Sequence, residues 1–168
     1  MQYNEDYDGR LPGATVGAAG QGLIGGWAYY TQFGADPNPP IFDNTKGAIY
    51  TYVKSTQIFV CPSDSTGQTS GDSYAINSCA MQPLVGGYAP GKSEAAFEET
   101  SKWMLFSEEK FYRNSTDDGY QQINVNPFSD RHLEGSNIMF MDGHVKFIQL
   151  SRIVASQFQT GGTGTACP

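Results

Sequence analysis

The sequence predicts an α+β domain, with short helices in the first third of the chain and a small antiparallel sheet of about four strands. Apolar side chains recur at helical spacing in residues 23–33 and in residues 45–53, which predicts a short helix in each segment. The strongest signal is a C-terminal β-hairpin over residues 137–148, where two apolar runs flank Asp142-Gly143. Asp-Gly is typical of a type I′ turn, because both central positions of that turn need positive φ.

The remaining segments are assigned from turn residues and from runs of apolar residues. In chain order, we expect a polar helix end or turn at 3–12, a loop at 36–43, an extended piece at 58–60, a loop at 65–71, strands at 74–78 and 103–107, a turn at 86–91, an exposed loop at 112–119 and a short helix at 150–158. The predicted strands therefore all follow the two helices predicted at 23–33 and 45–53.

The length of 168 residues indicates one domain, since domains typically have about 100–200 residues. We assign residues 1–158 to a single globular domain and residues 159–168 to a flexible tail rich in Gly and Thr. Because 39% of the residues are hydrophobic and 13% are aromatic, the domain has enough apolar material for one core.

The charge and composition exclude some partners and favour one location. The net charge of −7 opposes the phosphate neutralisation on which nucleic-acid binding depends, so no nucleic-acid partner is expected. The chain contains no run of about 18 apolar residues, so no membrane span is expected in it. The low content of charged residues, with 20 Gly and 10 Tyr, is typical of secreted and cell-surface proteins.

Three cysteines allow at most one disulfide bond within the chain. Cys61 and Cys79 lie closest in sequence and are the preferred pair. Cys167 is then expected to bond a neighbouring subunit or to replace one of the other two as the intrachain partner. The alternative is three reduced thiols in a cytosolic protein.

One spacing and several short motifs carry a family resemblance. His132 is followed by nine residues and then by Asp142-Gly143. Further motifs along the chain are Asp8-Gly9-Arg10-Leu11-Pro12, Phe59-Val60-Cys61-Pro62-Ser63-Asp64, Ser73-Tyr74-Ala75-Ile76-Asn77 and Arg131-His132. In this order, over most of its length, the chain resembles the prepilin-type, processing-associated H-X9-DG family of pilin-like and pseudopilin-like proteins.

The resemblance implies a type IV pilin-like globular head, in which the C-terminal half of a long hydrophobic helix packs on a small antiparallel sheet. Family members begin with a cleavable leader and that helix, whereas this sequence has neither before the residues that usually follow the helix. The implied function is structural. The chain would be a self-assembling subunit of an extracellular or cell-surface filament, such as a type IV pilus or a type II secretion pseudopilus.

His132 and Asp142 have a structural interpretation and a metal-binding one. In the first, the loop with Arg131 and His132 folds back so that the imidazole hydrogen-bonds the hairpin turn at Asp142 and Gly143. In the second, His132, Asp142 and His144 bind a transition metal. Two histidines and one carboxylate without a recognised motif favour the structural interpretation.

Calcium is the better metal candidate, with Asp117, Asp118 and Asp130 as its ligands. Some of the pseudopilins that this chain resembles hold Ca²⁺ in the equivalent region. The spacing does not match an EF-hand loop, and the alternative is a solvated acidic loop. No other cofactor is expected.

An enzyme is not expected, because no nucleophile has a recognisable base. Ser63 and Ser73 lack a Gly-x-Ser-x-Gly context, and Cys61 precedes a proline. The rival function is a secreted module that binds a glycan or a protein through exposed aromatic side chains. The candidate aromatic residues are Tyr29, Tyr30, Tyr88 and Trp103.

Overall fold

The computed structural model describes residues 2–81, 91–122 and 125–153, which form an α+β domain. Its α-helices are α1 (Gln2–Asp6), α2 (Tyr50–Val53) and α3 (Ser65–Ser70). Its strands are β1 (Tyr30–Gln32), β2 (Ile41–Phe42), β3 (Tyr74–Asn77), β4 (Met104–Glu108), β5 (Tyr120–Gln121), β6 (Gly135–Phe140) and β7 (Val145–Gln149). Single 3₁₀ turns lie at Ala18–Gly20, Asn44–Lys46, Gln57–Phe59, Ser78–Ala80, Glu94–Ala96, Thr100–Lys102 and Leu150–Arg152.

The main sheet has five strands in the order β5-β3-β4-β6-β7. Strands β3 and β5 are parallel, and the other neighbours are antiparallel. Strands β1 and β2 form a separate antiparallel pair. The predicted small antiparallel sheet is therefore confirmed except at β5, a two-residue strand that adds to β3 in the parallel direction.

The predicted C-terminal hairpin is confirmed, but its turn differs from the prediction. The backbone N–H of Gly143 donates to the carbonyl of Phe140 over 2.9 Å, and the N–H of Phe140 donates to the carbonyl of His144 over 2.9 Å. Gly143 has a φ of 91°, whereas Asp142 is not at positive φ. The loop therefore has three residues and ends in a left-handed glycine, instead of the predicted two-residue type I′ turn.

The helix predicted at residues 23–33 is wrong. Gly25 has a φ of 105°, which a right-handed helix does not allow. The backbone N–H of Trp27 donates to the carbonyl of Gly13 over 2.7 Å, so the chain is extended against an earlier segment. The aromatic side chains of this segment reach the core from an irregular loop that leads into β1.

The loop predicted at residues 65–71 is also wrong, since α3 occupies it. The Asp64 carboxylate accepts a hydrogen bond of 2.8 Å from the backbone N–H of Gly67, which caps the first turn. Gly71 ends the helix in the left-handed conformation, with a φ of 101°. This pattern of Asp before the helix and Gly after it was present in the sequence.

Other expectations are confirmed or corrected in detail. The helix end at 3–12 is confirmed as α1, and the strands at 74–78 and 103–107 are confirmed as β3 and β4. The helix at 45–53 is divided into the turn Asn44–Lys46 and α2, because Gly47 between them is extended. Of the piece expected to be extended at 58–60, residues 58 and 59 lie in a 3₁₀ turn and Val60 is extended. The described residues do not include 82–90 and 154–168. Most of the predicted turn at 86–91, most of the predicted helix at 150–158 and the whole tail at 159–168 fall in these two ranges.

Hydrophobic clusters pack on both faces of the main sheet. On one face, the Trp27 ring lies 4.8 Å from the Phe106 ring and 5.8 Å from the Phe59 ring, between centroids. The cluster on the other face contains Met104, Phe128, Ile138, Phe140 and Ile148. None of the helices in the described ranges is long and apolar enough to cross a membrane.

Candidate functional site

Glu108 is the centre of a buried polar network at the end of β4. Its side chain is fully buried, and its Oε1 lies 2.8 Å from Nε2 of His132 and 3.8 Å from Nη1 of Arg131. Its Oε2 accepts a hydrogen bond of 3.0 Å from the backbone N–H of Asn137 in β6. This carboxylate therefore has a cationic neighbour and hydrogen-bond donors, which buried charges require.

Arg131 forms the main ion pair of the network with Asp64. Its Nη1 lies 2.7 Å from Oδ2 of Asp64, and the two side chains are 4% and 3% exposed. Asp64 also accepts a hydrogen bond of 2.7 Å from Ser115 Oγ, and Arg131 Nη2 donates to the carbonyls of Asn114 and Glu109. The pair thus joins the start of α3 to the loops after β4 and before β6.

Cys61 completes the network next to His132. Its Sγ lies 3.4 Å from Nε2 of His132, and its backbone N–H donates to Ser73 Oγ over 3.0 Å. Burial, together with the nearby Glu108 carboxylate, raises the pKa of the Cys61 thiol. The thiol is therefore protonated near neutral pH and is a poor nucleophile in this state. We call Cys61, Asp64, Glu108, Arg131 and His132 the Glu108 network.

The predicted contact of His132 with the hairpin turn is wrong. His132 precedes β6, whereas the turn follows it, and the strand between them spans about 17 Å at about 3.3 Å per residue. Asp142 Oδ1 instead lies 2.6 Å from Nδ1 of His144 on the surface. His132, Asp142 and His144 therefore do not form the three-ligand metal site considered from the sequence.

The preferred disulfide is also wrong. Cys61 is a free, buried thiol, and Cys79 is disulfide-bonded. The physical reason is that Cys61 packs against His132 at one end of β3, while Cys79 follows the other end of this strand. Cys167 lies outside the described residues. The alternative in which Cys167 replaces one of the other two cysteines is the pairing left to test.

A second cluster of titratable groups consists of Glu109, Asp117 and Asp118, which we call the acidic cluster. Carboxylate oxygens of the three lie within 4.8 Å of one another. The side chains are 0%, 3% and 5% exposed. The loop expected to be exposed at residues 112–119 is therefore irregular but mostly buried, and the alternative of a solvated acidic loop is wrong.

The acidic cluster is held mainly by hydrogen-bond donors. Glu109 accepts 2.5 Å hydrogen bonds from Thr116 Oγ1 and from Asn126 Nδ2. Asp118 accepts hydrogen bonds from the backbone N–H groups of Gly17 and Tyr120, over 2.7 and 2.9 Å. Oδ1 of Asp117 is buried and has no hydrogen-bond partner. Among the described residues, no Lys, Arg or His forms an ion pair with these three carboxylates.

Burial raises the pKa of every carboxyl group in the acidic cluster. The pKa of Asp117 rises to about 6. The pKa values of Glu109 and Asp118 rise well above their ordinary range, because burial is reinforced by the neighbouring negative charges. The cluster therefore binds a shared proton more tightly than isolated carboxylates do. A bound cation would stabilise it in the same way, by compensating the negative charges.

The structure corrects the predicted calcium ligands. Asp117 and Asp118 lie together, but Asp130 is not a member of the acidic cluster. Asp130 is paired with Lys110 near the surface, and the hydrogen bond from Lys110 lowers its pKa. Glu109 takes the third place, because β4 and the following loop bring it beside Asp117 and Asp118.

Two of the four aromatic residues considered for the rival binding function are in the core. Tyr30 and Trp103 are 1% and 4% exposed. Tyr29 is half-buried, with Lys46 Nζ 4.9 Å from its ring centroid. Tyr88 lies outside the described residues. The three described positions, Tyr29, Tyr30 and Trp103, therefore do not form an exposed aromatic platform.

An apolar groove lies on the face of the main sheet where Trp27 and Phe59 cover β3 and β4. Its volume is about 610 Å³. Phe106, Met139 and Val145 are register neighbours on β4, β6 and β7, so their side chains line one wall. Side chains of α1 and α2 line the other side. Val145 is 64% exposed, so the apolar wall continues to the open surface.

Helix α1 is attached to α2 beside this groove. The Tyr3 ring lies edge-on to the Tyr52 ring, with centroids 5.7 Å apart, and Tyr52 OH donates to Asp6 Oδ2 over 2.8 Å. Asn4 Nδ2 donates to Glu94 Oε2 over 2.7 Å. The beginning of the described chain is therefore part of the groove wall.

Sequence reasoning missed Glu108, Glu109 and the Asp64–Arg131 pair. A signal was present, because two glutamates directly follow the predicted strand at 103–107 and would be buried at its end. Asp64, three residues before Gly67, also had the position of a helix N-cap. Comparisons of the chain with protein-family models, with curated proteins and with solved structures gave no match.

Proposed function

We propose that the chain is a structural subunit of an extracellular or cell-surface filament of the pilin or pseudopilin type, which acts by self-assembly and not by catalysis. The apolar groove is the observation that carries this proposal. The ordered H-X9-DG motifs supply the family resemblance, which implies that the C-terminal half of a hydrophobic helix packs on part of the sheet of such a head.

The groove has the features of a surface that another molecule covers. Its lining is dominated by apolar and aromatic side chains, among them Phe106, Met139 and Val145. Contiguous apolar surface of this kind on a folded domain indicates an interaction site. We assign a second copy of this chain as the partner, because repeated contact between copies is what a filament requires.

The edge of the main sheet extends this surface. Strand β7 has one neighbour in the described sheet, β6, so its other side is an edge. Val145 and Phe147 on β7 are 64% and 45% exposed. An exposed edge strand with large apolar side chains favours association with another chain. The groove and this edge together form one continuous assembly surface.

The experiment compares two exposed apolar positions. Val145→Lys places a charge on the groove wall, and Leu133→Lys is the matched control, since Leu133 is 88% exposed and does not line the groove. Sedimentation and negative-stain microscopy are expected to show assembly of the wild type and of Leu133→Lys, and loss of assembly for folded Val145→Lys. Monodisperse monomers of the wild type with measurable glycan affinity would support the rival function instead.

We propose that Ca²⁺ is a structural cofactor of this head at the acidic cluster. The supporting observations are the three buried carboxylates and the unpartnered Oδ1 of Asp117. Carboxylate oxygens are the ligands that Ca²⁺ prefers, and the ion would compensate their negative charge. Thermal unfolding at pH 7.5 is expected to show stabilisation by Ca²⁺ that is lost in Asp117→Asn and retained in Asp130→Asn. Equal stabilisation of both variants would contradict this site.

A further inference from the structure

The Glu108 network contains three side chains of the types that bind zinc. They are the Cys61 thiol, the Glu108 carboxylate and the His132 imidazole, whose ligand atoms all lie within 4.8 Å of one another. They come from three separate parts of the chain, which the fold brings together. From this geometry we propose that Cys61, Glu108 and His132 form a binding site for a divalent transition metal of the Zn²⁺ class.

The distances between the ligand atoms suit a tetrahedral ion. Bonds of about 2.0 Å to nitrogen and about 2.3 Å to sulfur place these two ligand atoms about 3.5 Å apart in tetrahedral geometry. Sγ of Cys61 lies 3.4 Å from Nε2 of His132. Oε1 of Glu108 lies 2.8 Å from the same nitrogen and has to move away by about 0.5 Å when an ion enters.

Contacts with the rest of the protein hold the three ligand residues in place. The backbone N–H of Asn137 binds Oε2 of Glu108, which leaves Oε1 directed at His132. The backbone N–H of Cys61 binds Ser73 Oγ, and the backbone N–H of Ser63 binds the Cys61 sulfur, a contact that a metal-bound thiolate can keep. Arg131 is the competing cation, but its Nη1 is 2.7 Å from Asp64 and 3.8 Å from Glu108. Such outer contacts orient the ligands of a metal site.

The charge and exposure of the site also fit this ion. A thiolate, a carboxylate and a neutral imidazole carry two negative charges, which a divalent cation neutralises inside the protein. Cys61 and Glu108 are buried, whereas the His132 side chain is 26% exposed. The protein thus supplies three ligands, and the fourth position, on the exposed side of His132, is available to water. Binding transfers the thiol proton to solvent.

The experiment uses Co²⁺ as a spectroscopic probe of the full chain, without reductant so that the disulfide at Cys79 stays intact. The wild type is expected to bind one Co²⁺ with a thiolate-to-cobalt charge-transfer band, and Zn²⁺ is expected to displace it. Cys61→Ser should remove the band, and His132→Ala should weaken Zn²⁺ binding about tenfold or more. His144→Ala is the matched control, because its imidazole pairs with Asp142 on the surface.

Histidine NMR of the His144→Ala protein gives a second measurement that does not depend on the folding of Cys61→Ser. The chain has two histidines, so this variant has a single imidazole, that of His132. Zn²⁺ is expected to shift its Nε2 resonance to that of a metal-bound nitrogen. Absence of the charge-transfer band in the wild type, its persistence in Cys61→Ser, or an unshifted Nε2 resonance would overturn the proposal.

Discussion

Glu108 and Glu109 are consecutive, and both are fully buried, but their surroundings are opposite. Glu108 faces Arg131 and His132. Glu109 faces the two carboxylates of the acidic cluster. Successive residues at the end of a strand point to opposite sides of the sheet, so neighbours in sequence enter different environments. The comparison shows that burial alone does not determine whether a carboxylate stabilises the fold. The charges of the neighbouring groups decide this.

Removal of the Arg131 cation tests the charge compensation in the Glu108 network and should have the largest effect on the free energy of unfolding. Arg131→Met leaves Asp64 and Glu108 buried without their cationic partner. The free energy of unfolding is expected to fall by about 3–5 kcal/mol in denaturant titrations. Arg113→Met is the control, because the Arg113–Asp36 pair is exposed and should contribute less than about 1 kcal/mol. Similar losses in the two variants would remove the special role of the buried pair.

Substitution of the two histidines also tests the Glu108 network, with a smaller expected effect on stability. His132→Ala removes the imidazole 2.8 Å from Glu108 and should lower the free energy of unfolding by about 1–3 kcal/mol. His144→Ala should change it little, since this imidazole lies on the surface at the hairpin turn. Equal melting temperatures of the wild type and His132→Ala would show that the His132–Glu108 contact does not stabilise the fold.

Removal of a negative charge from the acidic cluster should raise the free energy of unfolding, whereas removal of the Arg131 charge should lower it. Because burial raises the pKa values of its carboxyl groups, the native state binds more protons than the unfolded state above about pH 4. The contribution of Asp117 to stability is therefore present at low pH and is lost as pH rises through about 6, the pKa of this group. In a chelator at pH 8, Asp117→Asn should be more stable than the wild type by about 1–3 kcal/mol.

The measurement is the difference between the two unfolding free energies as a function of pH. The gain in Asp117→Asn is expected to shrink as pH falls and to disappear below about pH 3, where the carboxyl groups are protonated in both states. Ca²⁺ should reduce the gain at pH 8 by stabilising the wild type. A difference that does not vary with pH would mean that the Asp117 carboxylate experiences no net repulsion in the cluster.

Mapping of the cysteines tests whether Cys61 is a free thiol in the Glu108 network, and it needs no substitution. Native material digested under non-reducing conditions is expected to contain Cys61 as a free thiol and Cys79 in a disulfide. Rapid alkylation of Cys61 is not expected before unfolding, because the thiol is buried and its pKa is raised. A Cys61–Cys79 peptide would contradict the free thiol in the Glu108 network.

Elements with a local signal could be predicted from the sequence. The hairpin at residues 137–148 was predictable because the two apolar runs and the Asp142-Gly143 turn between them act within a few residues. The segment at 23–33 was not, because its aromatic side chains reach the core from a loop containing the positive-φ Gly25. Its helical spacing of apolar residues was coincidental, and contacts with Gly13 override it.

The candidate sites were less predictable than the strands. Asp117 and Asp118 were identified because they are adjacent, but Glu109 joins them through the pairing of β4 with the rest of the fold. Cys61, Glu108 and His132 are separated by long stretches of sequence and meet through tertiary packing. No local spacing encodes such a meeting. Sequence reasoning therefore assigned His132 to the hairpin turn, at the wrong end of β6.

Assembly through the apolar groove and the edge strand β7 is the central claim, and the native material tests it most directly. Negative-stain microscopy with an antibody raised against this chain should show labels repeated along regular filaments. Excess folded chain should compete for the antibody, and Val145→Lys should compete equally well because its fold is unchanged. Labels confined to single, unassembled particles in native material would contradict a structural role in a filament.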